Sequence, residues 1–401
     1  MDSAIPPVSS RLARRGLFQV VPERRSTPER TKASTLDSRV HNRSLVLATL
    51  FHRGPMTRPE IALASGLTAP TISALVGELE QDGLVADIGP RAGSRRGKPA
   101  GLVRIEDDAL NLVVLDLSHS DRFTGAVLNL RGEVVARAHR MIGEAVGDAA
   151  AALAFALAGD LMELAPRRVL GIGVGTPGIV DDTGVLRQAA HLEWNDLPLA
   201  ARLTAEFGVP AFVGNDINVA ALAVRNFRGV RSQNLVVVSI EHGVGAGLII
   251  GGELVEGDQF AAGEIGHVTV WDGGHDGADG EPCVCGRRGC LDQLIDAAHV
   301  RRALAGAADE AERTAVFQRA GRALGTVLAP IVSVLNLNDI VLTGPADLVE
   351  GPFSAAVTDT IRARTLAPIS ASVVVHSLAG DQDLILLGAG CLVLSAELGV
   401  L

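Results

Sequence analysis

Three cysteines fall within eight residues in Cys283-Val284-Cys285-Gly286-Arg287-Arg288-Gly289-Cys290. No other stretch of the chain restricts its fold so tightly. The intervening glycines let the backbone turn back until the sulfurs converge. In a cytosolic setting such a cluster favours a metal over a disulfide. Tetrahedral zinc takes four donors, and His267, in Gly263-Glu264-Ile265-Gly266-His267, is the best candidate for the fourth. Three thiolates and one imidazole leave no open position. One zinc per chain is therefore expected, in a structural role. Cys391, beside Leu392 and Val393, reads as a core thiol.

The cytosolic setting is itself a reading of the sequence. No apolar signal core precedes Arg11, Arg14 and Arg15, and the Ala-rich run 149–158 is too short to span a membrane. A cytoplasmic, nucleoid-associated protein with no membrane partner is the expectation. The net charge of −10 argues against nucleic-acid binding, but its distribution argues for it. Residues 1–110 hold 16 Lys and Arg against 12 Asp and Glu, whereas residues 111–401 hold 20 against 34. A basic head on an acidic body fits a DNA-binding module joined to a larger domain.

Residues 1–38, rich in Ser, Pro, Thr and Arg, read as a disordered basic arm. Residues 39–108 read as a winged helix-turn-helix. Val46, Leu47, Leu50 and Phe51 have helical spacing, and Gly54-Pro55 stops that helix. Thr57-Arg58-Pro59-Glu60 is a capping box for a short second helix, and Ser65-Gly66-Leu67 makes the turn. Thr68 caps a third helix whose buried side is Ile72, Leu75, Val76 and Leu79. Strands Val85–Ile88 and Leu102–Ile105 follow, joined by a basic tip. In such a motif the last helix enters the major groove. Its small residues Ala69, Thr71, Ser73 and Ala74 would lie at base edges. Arg91, Arg95, Arg96 and Lys98 of the wing would reach phosphates or a narrow minor groove. A three-helix protein-interaction module is the alternative.

A second start comes at the apolar strand Leu112–Asp116. Strands Phe123–Asn129 and Glu133–Ala138 follow, and then helices alternate with strands such as Leu170–Val174, Leu235–Ile240 and Asp339–Leu342. That alternation predicts α/β layers over residues 109–401. No short-period repeat is visible.

Five motifs in order then give a likeness: Gly173-Val174-Gly175-Thr176-Pro177-Gly178, Gly214-Asn215-Asp216-Ile217-Asn218, Gly243-Val244-Gly245-Ala246-Gly247, the Gly263–His267 run, and the cysteine run followed by Leu291. From about Asn42 onward the chain resembles the ROK family of repressors, open reading frames and kinases, in its repressor branch. The resemblance implies a two-lobed hexokinase/actin-like (RNase H-like) fold with sugar and nucleotide in the cleft. It implies that Gly178, Asn215, Asp216, Glu264, His267 and Asp292 form the effector site, with Asp216 at the family's general-base position. Asp292 stands where the family usually has a longer Glu.

The nucleotide side departs from the family pattern. A first phosphate loop of the form Asp-x-Gly-Gly-Thr is replaced by Asp116-Leu117-Ser118-His119-Ser120. Glu241-His242 precedes the second loop, and Thr343-Gly344-Pro345 replaces a glycine-rich adenosine motif. Pro345 has no N–H and a fixed φ. These changes predict no use of ATP. The expected protein is a repressor of sugar-metabolism genes with a sugar or sugar-phosphate effector and operator DNA as partner. The resemblance and the helix-turn-helix imply a homodimer or dimer of dimers. An ATP-dependent hexose-type kinase with an accessory DNA-binding domain is the competing reading. A regulatory protein in place of the sugar is a third.

Overall fold

The computed structural model describes residues 35–90, 101–241, 243–270 and 282–401. The wing residues Arg91, Arg95, Arg96 and Lys98, and His242, lie outside them. Helix α1 (Thr35–Arg53) begins at Thr35 rather than after residue 38, so the helix reaches into the segment read as an arm. Strand β1 (Met56–Thr57) leads to α2 (Arg58–Ser65) and α3 (Ala69–Gln81). The hairpin is β2 (Val85–Pro90) and β3 (Gly101–Ile105), and β1 pairs with β3 to make three strands.

The local chemistry explains these boundaries. Thr57 accepts from the Glu60 N–H, and the Glu60 carboxylate accepts from the Thr57 N–H at 2.8 Å. Such a cap stabilises a helix start by about 1 kcal/mol. Gly66 ends α2 in the left-handed region at φ 72°, where a side chain would be strained. Arg58 then ties the motif together, bonding Glu80 of α3 at 2.8 Å and Asp87 of β2 at 3.0 Å. Ile72, Leu75, Val76 and Leu79 are the buried residues of α3.

Two five-stranded sheets and one small sheet, among the described residues, organise the rest. The first uses β4 (Asn111–Asp116), β5 (Arg122–Leu128), β6 (Val134–Met141), β7 (Val169–Thr176) and β11 (Ala211–Asn215). Helix α4 (Gly147–Leu164) precedes β7. A small sheet of β8 (Ile179–Val180), β9 (Leu186–Ala189) and β10 (Trp194–Leu197), then α5 (Leu199–Phe207), precede β11. Helix α6 (Asp216–Phe227) leads to the second sheet. That sheet has β12 (Leu235–Ile240), β13 (Val244–Ile250), β14 (Glu253–Leu254), β15 (Asp339–Thr343) and β16 (Val374–Ser377). Between β14 and β15 lie α7 (Asp292–Ile295), α8 (Ala297–Ala305) and α9 (Glu310–Leu335). Helices α10 (Ala346–Val349), α11 (Pro352–Arg364) and α12 (Ala367–Ser370) precede β16, and α13 (Leu384–Leu398) ends the fold.

The spatial orders are β11-β7-β4-β5-β6 and β14-β13-β12-β15-β16. Numbered within each sheet, and read from β6 in the first and β14 in the second, both are third, second, first, fourth, fifth strand. In each, the first three strands run antiparallel and the last two join in parallel. The two lobes therefore share one topology, a duplication that the sequence does not display. Between the sheets lie α6 and α13, packed on each other, α6 against β12 and β13 and α13 against β4 and β7.

The helix-turn-helix is continuous with this body. One apolar cluster joins Leu50, Ile61 and Ile72 to Leu128, Val224 and Leu387. Phe51 of α1 meets Phe227, the last residue of α6, edge-on with ring centres 6.4 Å apart. Arg131, in the β5–β6 turn, donates to the Phe51 carbonyl at 2.7 Å and lies over the Phe51 ring at 4.8 Å. Its other bond, to Asp107 at 2.8 Å, anchors it on the linker into β4.

Candidate functional site

A cleft of about 1070 Å³ lies between the lobes. Every residue that the family resemblance assigns to an effector lines it: Gly178, Asn215, Asp216, Glu264, His267 and Asp292. Their positions follow from the ends of the elements. Strand β11 delivers Asn215 and α6 starts at Asp216. Asn215 caps that helix, its Oδ1 accepting from the Ile217 and Asn218 N–H groups at 3.0 Å each. Its Nδ2 donates to the Gly178 carbonyl at 3.0 Å. Asn215 thus holds the Gly178 loop against α6, leaving one amide hydrogen for a ligand.

Asp216 is pushed up to about 7, chiefly by burial, then by the negative charge of Asp116 and, less strongly, of Glu264 and Glu241. The Ile217 N–H, donating to it at 2.9 Å, opposes the shift. Burial also raises Glu264 and Asp292. These carboxylates face a common space, Asp216 and Asp292 half-buried and Glu264 exposed, where a polyol can be met by several directional bonds.

The cleft is also lined by the residues that depart from the family pattern. Ser118, His119, Glu241, Thr343, Gly344 and Pro345 all line the cleft. The Ser118 N–H and hydroxyl both donate to Asp116 Oδ1, at 2.9 and 2.6 Å. The His119 Nε2 lies 3.3 Å from Asp116 Oδ2, and that partnership raises the His119 pKa against the effect of its burial. Asp116 itself is 1% exposed.

His267, Cys283, Cys285 and Cys290 place their donor atoms within 4.8 Å of one another, so this cluster could hold a metal ion. Cys283 Sγ is 3.4 Å from His267 Nδ1, and Cys285 Sγ is 3.5 Å from Cys290 Sγ. Tetrahedral zinc–thiolate bonds would set sulfurs about 3.7 Å apart, close to this spacing. The donor set therefore fits zinc. The Arg287 N–H beside the Cys285 sulfur lowers its pKa, favouring the thiolate that a metal binds. Cys391 is buried in the core, its thiol pushed up to about 12.

Of the recognition-helix residues, Ala69, Ser73 and Ala74 are exposed, whereas Thr71 is half-buried with its hydroxyl 2.9 Å from that of Thr68. Sequence reasoning missed part of the cleft wall: Arg122, Arg137, His139, His191 and Asp381. Alternation along β6 carries a signal for Arg137 and His139, which share a face two residues apart. No local signal marks Asp381. No single helix among the described residues is long and apolar enough to cross a membrane.

The ROK family model matches residues 120–396. The chain is 31% identical over 260 residues to the xylose repressor of Caldicellulosiruptor bescii, an alignment that covers 63% of each chain. It is 28% identical over 354 residues to the DNA-binding transcriptional dual regulator NagC of Escherichia coli strain K12, covering 81% of this chain and 85% of NagC. A solved ROK family transcriptional regulator, described as a homologue of the E. coli MLC protein, superposes with a TM-score of 0.78 at 23% identity. That match covers 90% of this chain and 98% of the other. Sugar kinases of the family also share the two-lobed fold.

Proposed function

This chain belongs to the ROK family, and from that premise we propose that it is a DNA-binding transcription repressor whose operator affinity is set by a sugar in the cleft. One observation carries the reading: α6 starts at the cleft carboxylate Asp216 and ends at Phe227, whose ring packs on Phe51 of α1. A second strut runs alongside. Helix α13 starts at Leu384 in the cleft wall, and Gly399 beyond its end abuts Ser44 of α1. Both helices join the ligand space to the DNA-binding helices without an intervening loop. The names of the two curated relatives support the same reading.

In this account the segment before α1 is a basic arm, α1 to residue 108 the winged helix-turn-helix, and 109–401 the effector domain. Ala69, Thr71, Ser73 and Ala74 face base edges, and Arg91, Arg95, Arg96 and Lys98 face the DNA backbone or minor groove. A second copy supplies the other half-site, as the two-fold symmetry of operators requires. Gly178, Asn215, Asp216, Glu264, His267 and Asp292 receive the effector. His267, Cys283, Cys285 and Cys290 hold one zinc, which when bound cross-links the segment carrying Glu264 to the segment leading into Asp292. Sugar binding favours one relative position of the lobes, and α6 and α13 pass that difference to α1. No phosphoryl transfer is required.

Selection of duplexes from a random library tests the DNA half. We expect a preferred two-fold sequence, bound with an affinity that falls by about 0.9 log units per log salt for each phosphate neutralised. Replacing Arg95 and Arg96 by Ala flattens that slope. Equal binding to all duplexes would contradict the reading.

A further inference from the structure

The two loops that would cradle phosphates are already filled by the chain's own carboxylates. In the first, Asp116 takes the Ser118 N–H and hydroxyl and pairs with His119. In the second, Asp292 Oδ1 accepts from the Val244 N–H at 2.6 Å. These backbone donors are the groups a glycine-rich loop offers to an incoming anion. Here each is spent on a fixed negative charge that a phosphate would have to displace.

The glycines of the second loop have another reason to be there. A Cβ on Gly245 would fall 2.2 Å from Ile217 Cδ1, and one on Gly247 would fall 2.6 Å from the Ile217 carbonyl. Gly247 is required by the close approach of the α6 backbone to β13, with or without a ligand, whereas at Gly245 only the end of the Ile217 side chain would have to turn. The presence of Gly247 therefore says nothing about phosphate. Gly243, which meets nothing nearer than the Asp292 carboxylate at 3.8 Å, is the one member of the loop that packing leaves free.

Charge in the cleft points the same way. Asp216, Glu241, Glu264, Asp292 and Asp381 line it, Asp381 being already paired with Arg228, against the arginines Arg122 and Arg137. Arg137 is held by both oxygens of Asp383 at 2.8 Å, and Arg122 lies 3.9 Å from Asp121. His119 and His267 face Asp116 and the thiols. A dianionic ester would enter a space with more fixed negative than positive charge, in which like charges raise its free energy.

We propose that the cleft rejects phosphate and takes an unphosphorylated sugar as its effector, with Glu241, which departs from the family pattern beside the retained acids Asp116 and Asp292, as the residue that sets this selectivity. The inference rests on the reading of the cleft as an effector site, and narrows it. A sugar's hydroxyls bond to carboxylates as neutral donors, so the same charges that exclude a phosphate favour a polyol.

The test uses the full-length, zinc-loaded protein and a panel of free pentoses, hexoses and N-acetylhexosamines, each beside its terminal phosphate ester. Thermal stability and operator affinity are read together, with and without magnesium. We expect at least one free sugar to raise the melting temperature and shift operator affinity, and its phosphate ester to bind at least about tenfold more weakly. Glu241→Gln should narrow that gap several-fold by strengthening the ester. A phosphate ester that binds as tightly as its parent sugar would overturn the inference while leaving the sugar-responsive repressor intact. Silence from every compound, with the operator still bound, would overturn the effector reading and this inference with it.

Discussion

The two walls of the cleft use the same kinds of residue to opposite ends. On the sugar-facing wall, Asp216 and Glu264 project carboxylates into shared space, and Asn215 keeps one amide hydrogen uncommitted. On the phosphate-facing wall, Asp116 is buried and saturated by Ser118 and His119. A carboxylate surrounded by its own chain's donors holds a loop in shape. One left among other carboxylates is costly to ionise and gains from an external ligand. The difference teaches that a binding site is recognised by polar capacity left over, not by the polar residues present.

The largest effect should come from the metal cluster, because it fixes segments that end on the sugar-facing wall. Structural zinc contributes roughly 10 kcal/mol or more of binding free energy in small domains, and here part of that is folding energy. Chelation, or Cys290→Ser, is expected to lower the melting temperature and abolish the sugar response. The operator-binding helices, whose apolar cluster is separate from the one that holds Ile265 and Leu291, should be affected less. Elemental analysis should give one zinc per chain. A metal-free protein with unchanged melting temperature and sugar response would break the link between cluster and wall.

A smaller effect is expected at the joint between α6 and α1. The aromatic contact of Phe227 with Phe51 is worth about 0.5–1.5 kcal/mol beyond its buried area. Phe227→Leu keeps an apolar side chain but loses that contact. Sugar should still stabilise the protein, and the operator should still bind, while the effect of sugar on operator affinity shrinks several-fold. Coupling energies of this kind are typically about 1–3 kcal/mol. Unchanged coupling in this variant, measured by operator titration with and without sugar, would remove α6 from the path.

How much of this was legible depended on the range of the interactions. Thr57 and Glu60 sit three residues apart, and their reciprocal bonds follow from spacing alone. The same is true of the apolar face of α3 and of the cysteine run, whose glycines and thiols are neighbours. The family motifs placed Asn215, Asp216 and Glu264 on one cleft. What escaped was non-local. The Val244 N–H meets Asp292 across 48 positions, and Phe51 meets Phe227 from another domain. The common strand order of the two lobes is also hidden, because topology depends on pairing and not on side-chain identity. Strand β1, two residues long, is too short to leave a periodicity.

A further effect is a pH dependence at Asp216. Its folded-state pKa is raised from 3.8 to about 7, so between those values the native protein holds a proton that the unfolded chain releases. Stability from this group is therefore present at low pH and lost as pH rises from about 4 to about 7. Asp216→Asn removes the loss, and should gain on the order of 1–2 kcal/mol over the unsubstituted protein near pH 8, with little gain near pH 4. Urea titrations of both proteins across this range test it. Parallel stability curves would show that Asp216 is solvated like an ordinary carboxylate, and the contrast between the two walls would lose its electrostatic basis.

The central claim is that the cleft works by binding and not by turnover. Its most direct test is an operator-binding titration with the active sugar, run with and without ATP, beside an ADP-release assay on the same preparation. The account predicts a shift in operator affinity of about 5–150-fold that is indifferent to ATP, with no sugar-dependent ADP. Robust sugar-dependent ADP production, or an operator response that requires ATP, would contradict it.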